Sequence, residues 1–533
     1  MAHLAKHRGA WRALAAGALF LLAVPAVAEE PQAAGAADAQ PAAETSTDDT
    51  DDNAGDAGTE GGAALLKKAE AKPPQPVDFE AVLAPLTQDR LFRASKVGLD
   101  VRSVSTGQSV FSREADRGLV PASTTKVVTA ATALRTLGPA YRFTTDIYAD
   151  GPVDQAGVLQ GNLYVQGHGD PTLVVERLWK LVYDLKLEGI NRVSGDVIFD
   201  EGYYDTTYQL PGWNKARDLA EGPSYFATSS ALSLNFNTVA IVVAPGPEVG
   251  KPARVLLETP AGGYVTLDNK VLTGAVGASR RLDIDRAVTA DKMTFTVEGT
   301  IASDDEARRY YRTVADPTAH FMAAWAEMEK VHGIEVKGTH RRGGTPVGAT
   351  LLIQHRSVPL TAVLMDMNKY SNNFMAEQVL KAVGAETGGA PGSTAKGVAA
   401  VQSYLDELQI PRESYTVING SGLSRQTSIP PSVLTAVMVD MANDDKVGSE
   451  FQTSLSIAGW DGTLWRRLRE DPARVRGKTG TIDGVHCLTG YVTAADGELY
   501  AFSFLVNDLR GGSSQAKRLH DRFLRRMFNA DQL

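Results

Sequence analysis

The chain of 533 residues contains a single cysteine, Cys487, so it forms no internal disulfide and holds no cysteine-ligated zinc site. Positive charge is also short: 54 Lys and Arg stand against 63 Asp and Glu, a net charge of −9, which excludes a nucleic-acid binder with a basic surface. Beyond the first 28 positions no apolar run approaches the length of a membrane span, and no fixed-period repeat is visible. Apolar material itself is not lacking. Hydrophobic residues make up 43% and charged residues 22%, enough to build a sizeable core, and this excludes wholesale disorder and a small disulfide scaffold. The length predicts roughly three domains.

The N-terminus carries Lys6, Arg8 and Arg12 with no acid among the first 28 positions, then an apolar run from Ala13 to Val27 interrupted by Gly17 and Pro25. Ala26-Val27-Ala28 places small residues where a signal peptidase cuts. The run of roughly 15 residues is short for a bilayer span, which needs about 20. The pattern predicts a secretory signal over 1–28, cleaved near Ala28, and an exported protein of the periplasm or cell envelope; with no cysteine at the cut, it is not a lipoprotein. Residues 29–60 hold ten acids and no Lys or Arg, so 29–76 reads as an acidic, disordered linker. Without signal and linker acids the folded body carries about −2, and the acidity says little about any site.

Folded sequence is expected from Val77. Residues 97–101 and 109–111 alternate around Thr106-Gly107, a β-hairpin pattern. Apolar spacing predicts a helix over 123–137, ending at Gly138-Pro139. From about 145 to 345 short β-like runs (158–165, 193–199, 239–243, 255–257, 293–297) alternate with turns and two helical stretches, 173–187 and 322–331. Helical periodicity then returns at 360–368, 375–383, 397–408 and 431–442. Strands at 490–493 and 499–506, around Asp496-Gly497, and a helix from Ser514 close the chain.

Three short patterns carry chemistry. Ser-x-x-Lys occurs at Ser123/Lys126, but also at Ser393/Lys396 and Ser514/Lys517. Ser-x-Asn occurs at Ser371-Asn372-Asn373 and at Ser233-Leu234-Asn235, and Lys-Thr-Gly once, at Lys478-Thr479-Gly480, followed by Thr481. At i and i+3 on the first turn of a helix, Ser123 and Lys126 share a face, so the amine reaches the hydroxyl. A neutral lysine can take the serine's proton, provided that burial or a second cation such as Lys478 lowers its pKa from about 10.4. Ser371 is placed to relay a proton and Asn373 to hold a substrate amide. Lys478 and the hydroxyls beside it suit a substrate carboxylate, and Gly480 leaves room for a backbone to approach. Each pattern also has a plain structural use: Ser123 as a helix N-cap and Lys126 as a solvated side chain, Ser371 to Asn373 as caps, and Lys478 to Thr481 as a polar edge strand.

Taken together and in this order, the three patterns resemble the penicillin-binding protein and serine β-lactamase superfamily. More narrowly, they look like the low-molecular-mass D-alanyl-D-alanine carboxypeptidase/endopeptidase family typified by penicillin-binding protein 4. The resemblance also rests on Gly167 to Leu173, Leu232 to Asn237, Asn419-Gly420-Ser421-Gly422-Leu423-Ser424-Arg425 and Gly459 to Leu464. The 248 residues from Ser123 to Ser371 exceed what compact β-lactamases allow, whereas this family inserts two domains there.

The resemblance implies a multi-domain α/β protein: a transpeptidase-like catalytic domain of helices on an antiparallel sheet (77–144 and 349–533), an inserted β-rich domain (145–220 and 319–348) and a third nested within it (221–318). It implies hydrolysis of peptidoglycan stem peptides, as carboxypeptidase, endopeptidase or both, through an acyl-enzyme at Ser123 with Lys126 as base. Ser371 and Asn373 would complete the relay. Lys478, Thr479 and Thr481 would bind the terminal carboxylate, the N–H groups of Ser123 and Thr481 would form the oxyanion hole, and Arg425 would line the side-chain pocket. The chain departs from the family after Pro211-Gly212-Trp213, where a longer stretch leaves Asp218 or Glu221 as the reader of the diamino acid. His168 and His486 are expected to be structural. The expected partners are stem peptides and, as inhibitors, β-lactam antibiotics. Nucleic acid, cofactor and metal are not expected, membrane association is at most peripheral, and a homo-oligomer stays open. The alternatives are a β-lactamase and a catalytically idle wall-binding protein.

Overall fold

The computed structural model describes residues 76–212, 222–261, 263–289, 291–510 and 512–528. The expected signal, nearly all of the linker, and Asp218 and Glu221 lie outside the described residues.

A six-stranded antiparallel sheet supports the C-terminal half. Its strands run in the order Ser456–Ile457, Val475–Ile482, Val485–Thr493, Leu499–Asn507, Lys96–Ser103 and Ser109–Arg113. The N-terminal hairpin therefore completes a sheet begun by the chain's last strands, with Lys96 opposite Asn507 and Ser103 opposite Tyr500. Side chains of a strand alternate between faces, and here both faces are buried. Ala501 and Leu505 enter one core, and Tyr500, Phe502, Phe504 and Val506 the other. The first core is covered by the helices Thr125–Leu137, Leu360–Lys369, Asn373–Gly388, Thr394–Glu407 and Pro431–Ala442, the second by Phe79–Leu83 and Ser513–Phe528. The helix Thr125–Leu137 buries ten of its thirteen residues, mostly small ones, and so runs through the middle of its core.

Ser123 does not lie on the first α turn. It belongs to a 3-10 turn, Ala122–Thr124, that precedes the helix, with Ala122 at φ +47°. Between the halves lies a five-stranded mixed sheet in the order His340–Arg342, Val197–Asp200, Leu163–Gly167, Thr144–Ala149 and Thr350–Arg356. It packs with the helices Val175–Leu187 and Pro317–His332 in a core of its own. The strand Thr350–Arg356 pairs antiparallel with Thr144–Ala149, so this sheet reaches past residue 348. Two three-stranded sheets share another core: one joins Val265–Gly274, Met293–Ala302 and Arg281–Val288, the other Arg308–Thr313, Thr238–Ala244 and Arg254–Leu257. The runs expected at 158–165 and 193–199 each break into two strands, Val158–Leu159 with Leu163–Gly167 and Arg192–Val193 with Val197–Asp200. Among the described residues no helix is long and apolar enough to cross a membrane.

Candidate active site

Tertiary packing separates the competing motif copies. Ser393 caps the helix Thr394–Glu407 by accepting from the Lys396 N–H at 3.2 Å, and Ser514 and Lys517 both sit exposed on the C-terminal helix. Ser233 donates to the Ser230 carbonyl at 2.8 Å inside the protein. Ser123, Lys126, Ser371, Asn373 and Lys478, by contrast, converge where the 3-10 turn, the start of the helix Asn373–Gly388 and the strand Val475–Ile482 meet.

Lys126 is fully buried, and its Nζ lies 3.0 Å from Ser123 Oγ, 2.7 Å from Asn373 Oδ1 and 2.9 Å from the Ser421 carbonyl. Asn373 donates from Nδ2 to the Tyr225 carbonyl at 3.1 Å, which fixes its amide so that Oδ1 faces the lysine. Asn373 Oδ1 and the Ser421 carbonyl can only accept. A neutral Lys126 therefore spends its two N–H bonds on them and turns its lone pair toward the Ser123 hydroxyl. Burial pushes the Lys126 amine down to about 7, against the opposing pull of Glu377. Of the two expected causes, burial or a second cation such as Lys478, burial is the one that lowers Lys126. Lys478, itself fully buried, is held well below its ordinary value first by burial and then by the charge of Lys126.

Lys478 Nζ donates to Ser371 Oγ at 2.8 Å and to the Thr479 carbonyl at 2.9 Å. Ser371 occupies the left-handed region, φ +59°, directly before the helix Asn373–Gly388. The cap of that helix is Asn372, whose Oδ1 accepts from the Met375 N–H at 3.0 Å, so capping engages neither Ser371 nor Asn373. Lys478 reaches Ser371, and Gly480 abuts the Ser123 turn. Thr479 Oγ1 donates to Thr463 Oγ1 at 2.9 Å, and exposed Thr481 has its Oγ1 3.4 Å from His486 Nδ1. His486 is pushed down to about 4 by burial and by nearby Lys517 and Arg467, and is neutral at ordinary pH.

Gly480 also has a reason within the fold. A Cβ there would stand 2.5 Å from the Pro121 carbonyl oxygen and 3.1 Å from the Ser123 nitrogen, so the strand backbone itself presses on the Ser123 turn. Arg425 is exposed and donates to the Asp483 carbonyl, which ties it to the end of the Lys478 strand. Beside it, Asn419 Nδ2 donates to the Pro211 carbonyl at 3.0 Å, so Pro211-Gly212 docks on the same loop.

Sequence reasoning missed Glu377, the Tyr225 carbonyl, Thr463 and the role of the Asn419–Gly422 turn. Glu377 was within reach: it lies four residues after Asn373 and so shares its helix face. Among the described residues no group of three or more His, Cys, Asp or Glu is arranged to hold a metal.

A helix-covered antiparallel sheet, a half-buried serine paired with a buried lysine at the foot of its central helix and a second lysine on the adjoining strand define an α/β protein of the penicillin-binding class. More narrowly, the chain belongs to the D-Ala-D-Ala carboxypeptidase 3 (S13) family, whose model matches residues 79–526. It is 34% identical over 450 residues to a D-alanyl-D-alanine carboxypeptidase from an Actinomadura species, covering 81% of each chain. It is 29% identical over 445 residues to the D-alanyl-D-alanine carboxypeptidase DacB of Haemophilus influenzae, covering 81% of this chain and 89% of that one. The crystal structure of penicillin-binding protein 4 from Haemophilus influenzae superposes with a TM-score of 0.73 at 27% identity, over 84% of this chain and 98% of that one. The same protein complexed with a β-lactam superposes at 0.68, also at 27% identity, over 83% and 97%.

Proposed function

We propose that this chain is an exported serine-type D-Ala-D-Ala carboxypeptidase that also acts as a DD-endopeptidase on peptidoglycan cross-bridges, working through an acyl-enzyme at Ser123 and inhibited by penicillins. The observation that carries the reading is the Ser123–Lys126 contact of 3.0 Å, with the other two partners of Nζ both pure acceptors. As Ser123 Oγ attacks the carbonyl of the penultimate D-alanine, its proton passes to the Lys126 lone pair. The carbonyl oxygen gains the charge and takes hydrogen bonds from the N–H groups of Ser123 and Thr481, each worth roughly 3 kcal/mol to the transition state. The close seating of Gly480 on the Ser123 nitrogen supports this pairing of the two amides. When the intermediate collapses, the C–N bond breaks and the leaving amine takes a proton through Ser371, which Lys478 holds at 2.8 Å. Water then attacks the ester carbon, the C–Oγ bond breaks, the water oxygen leaves on the shortened peptide as its new carboxylate, and one water proton returns through Lys126 to Ser123 Oγ.

Thr479, Thr481 and Lys478 bind the terminal carboxylate, and Arg425 lines the pocket for the stem-peptide side chain. Carboxypeptidase and endopeptidase cleavage use this one site and differ only in the length of the leaving group. The signal pattern at 1–28 supports export to the periplasm or cell envelope. The β-lactam complex of the Haemophilus influenzae protein supports penicillin as an inhibitor.

The test is the intact mass of the mature protein after brief exposure to penicillin, wild type beside Ser123→Ala, with D-alanine release and muropeptide products measured in parallel. A lasting one-to-one adduct in wild type alone, together with release of D-alanine and loss of cross-linked dimers, is the expected result. Rapid destruction of penicillin without an adduct would replace the reading with a β-lactamase, and inertness of both proteins with a wall-binding scaffold.

A further inference from the structure

Directly behind Lys126 lies a carboxylate that the reaction as described does not use. Glu377 is fully buried on the helix Asn373–Gly388, one turn beyond Asn373. Its two oxygens accept from consecutive backbone amides, Ser421 N at 2.8 Å and Gly420 N at 3.1 Å. Both residues then engage the central helix: the Gly420 carbonyl accepts from Thr129 Oγ1 at 2.8 Å and the Ser421 carbonyl from Lys126 Nζ at 2.9 Å. The turn is held from its other side as well. Gly422, at φ +76°, leaves so little space that a Cβ would stand 2.0 Å from the Ala122 carbonyl oxygen, beside Ser123. A buried carboxylate is costly unless donors compensate it, and here the compensating donors are the amides that aim a carbonyl at the lysine.

We propose that Glu377 is a positioning residue for Ser123 and Lys126: it clamps the Asn419–Gly422 turn so that the Ser421 carbonyl orients Lys126 Nζ, and it places a carboxylate behind that amine. The proposal rests on the reading of Lys126 as the base. The charged groups about Lys126 are Glu377, from the helix Asn373–Gly388, and Lys478, from the strand Val475–Ile482; Ser123, Asn373 and the Ser421 carbonyl are its neutral contacts. Glu377 favours the protonated lysine, whereas burial opposes it. Glu377→Gln removes the charge and turns an amide N–H₂ toward one of the two backbone donors, so it loses both functions. Glu377→Asp keeps the charge and shortens the reach.

The experiment measures the acylation rate with a fluorescent penicillin from about pH 5 to about pH 9. It compares wild type, Glu377→Gln and Glu377→Asp, with Ser123→Ala as the blank and thermal melting as the check on folding. Acylation needs the neutral amine, so the wild-type rate rises with pH through the titration of Lys126. In Glu377→Gln the amine loses its proton more readily, and this acid limb is expected to move to lower pH by about one unit. Its plateau is expected to fall by about tenfold or more. Glu377→Asp is expected to keep the wild-type limb and lose about fivefold or more at the plateau. A merely structural glutamate would lower melting temperature and leave the limb in place.

Wild-type limb and plateau in a folded Glu377→Gln would overturn the proposal. Should that variant not fold, a wild-type plateau in Glu377→Asp would overturn it equally. A wild type indistinguishable from Ser123→Ala would overturn the functional reading and this inference with it. A reactive wild type with unaltered Glu377 variants overturns the inference alone.

Discussion

Replacing Gly480 by alanine probes how closely the Lys478 strand is seated on the Ser123 turn. The added Cβ would lie 2.5 Å from the Pro121 carbonyl oxygen and 3.1 Å from the nitrogens of Ser123 and Thr124, where ordinary contact begins at 3.4 Å. The shortfall is roughly 0.9 Å, and the obstacle is backbone, which cannot rotate aside as a side chain would. The strand and the turn must part by about that distance, and a 1 Å misplacement of reacting groups costs about a hundredfold in rate, or about 2.7 kcal/mol. Overpacking of this kind costs about 1–3 kcal/mol of stability. Gly477→Ala on the same strand is the control, since its Cβ would meet the Thr489 carbonyl at 3.2 Å and a Leu488 methyl at 3.4 Å. It is expected to stay within about threefold of wild type. Acylation rates with fluorescent penicillin, beside thermal melts, read both variants. The reasoning is refuted if Gly480→Ala acylates within about threefold of wild type, or if Gly477→Ala loses as much.

Ser371→Ala leaves Lys478 Nζ with the Thr479 carbonyl and removes the relay hydroxyl. Acylation is expected to drop by about a hundredfold or more with little change in melting, and a rate near wild type would take Ser371 out of the relay. His320 is fully buried and neither ring nitrogen has a hydrogen-bond partner among the described residues; burial pushes it down to about 4 from an ordinary 6.5. The unfolded chain therefore takes up a proton that the folded one refuses. Stability from this group is complete above about pH 6.5 and declines as pH falls toward 4, by about 3 kcal/mol in all. Denaturant midpoints at neutral and acid pH should show a shallower acid-side decline in His320→Leu than in wild type, and an equal decline would refute the assignment.

What could be read before folding was local. Helical spacing marked Pro431–Ala442 and Leu360–Lys369 almost to the residue, because each covers the first core with a stripe of period near 3.6. The hairpin of Lys96–Ser103 and Ser109–Arg113 was legible for the same reason at period two. The strands Val265–Gly274, Arg281–Val288 and Arg308–Thr313 were not. Their exposed faces carry charged and polar residues, and their apolar positions find partners only in a nested core. The strand Thr350–Arg356 escaped because it is at most half buried and carries no clean apolar–polar alternation.

For the candidate site, the order Ser123, Lys126, Ser371, Asn373, Lys478 was written in the sequence, since motif spacing is a property of the chain alone. Which Ser-x-x-Lys meets the other two motifs was decided by packing: Lys126 is enclosed with three partners, whereas Lys396 and Lys517 are not buried and Ser393 caps a helix. The lowered proton affinity of Lys126, the amide orientation of Asn373 set by the Tyr225 carbonyl, and the clamp from Glu377 through Ser421 all join residues that are distant in sequence. Desolvation and hydrogen-bond direction belong to the packed assembly, and no short motif carries them. The sequence alone determined which polar groups this protein carries; only the tertiary structure decided which of them is desolvated, which partners it meets and what holds it there.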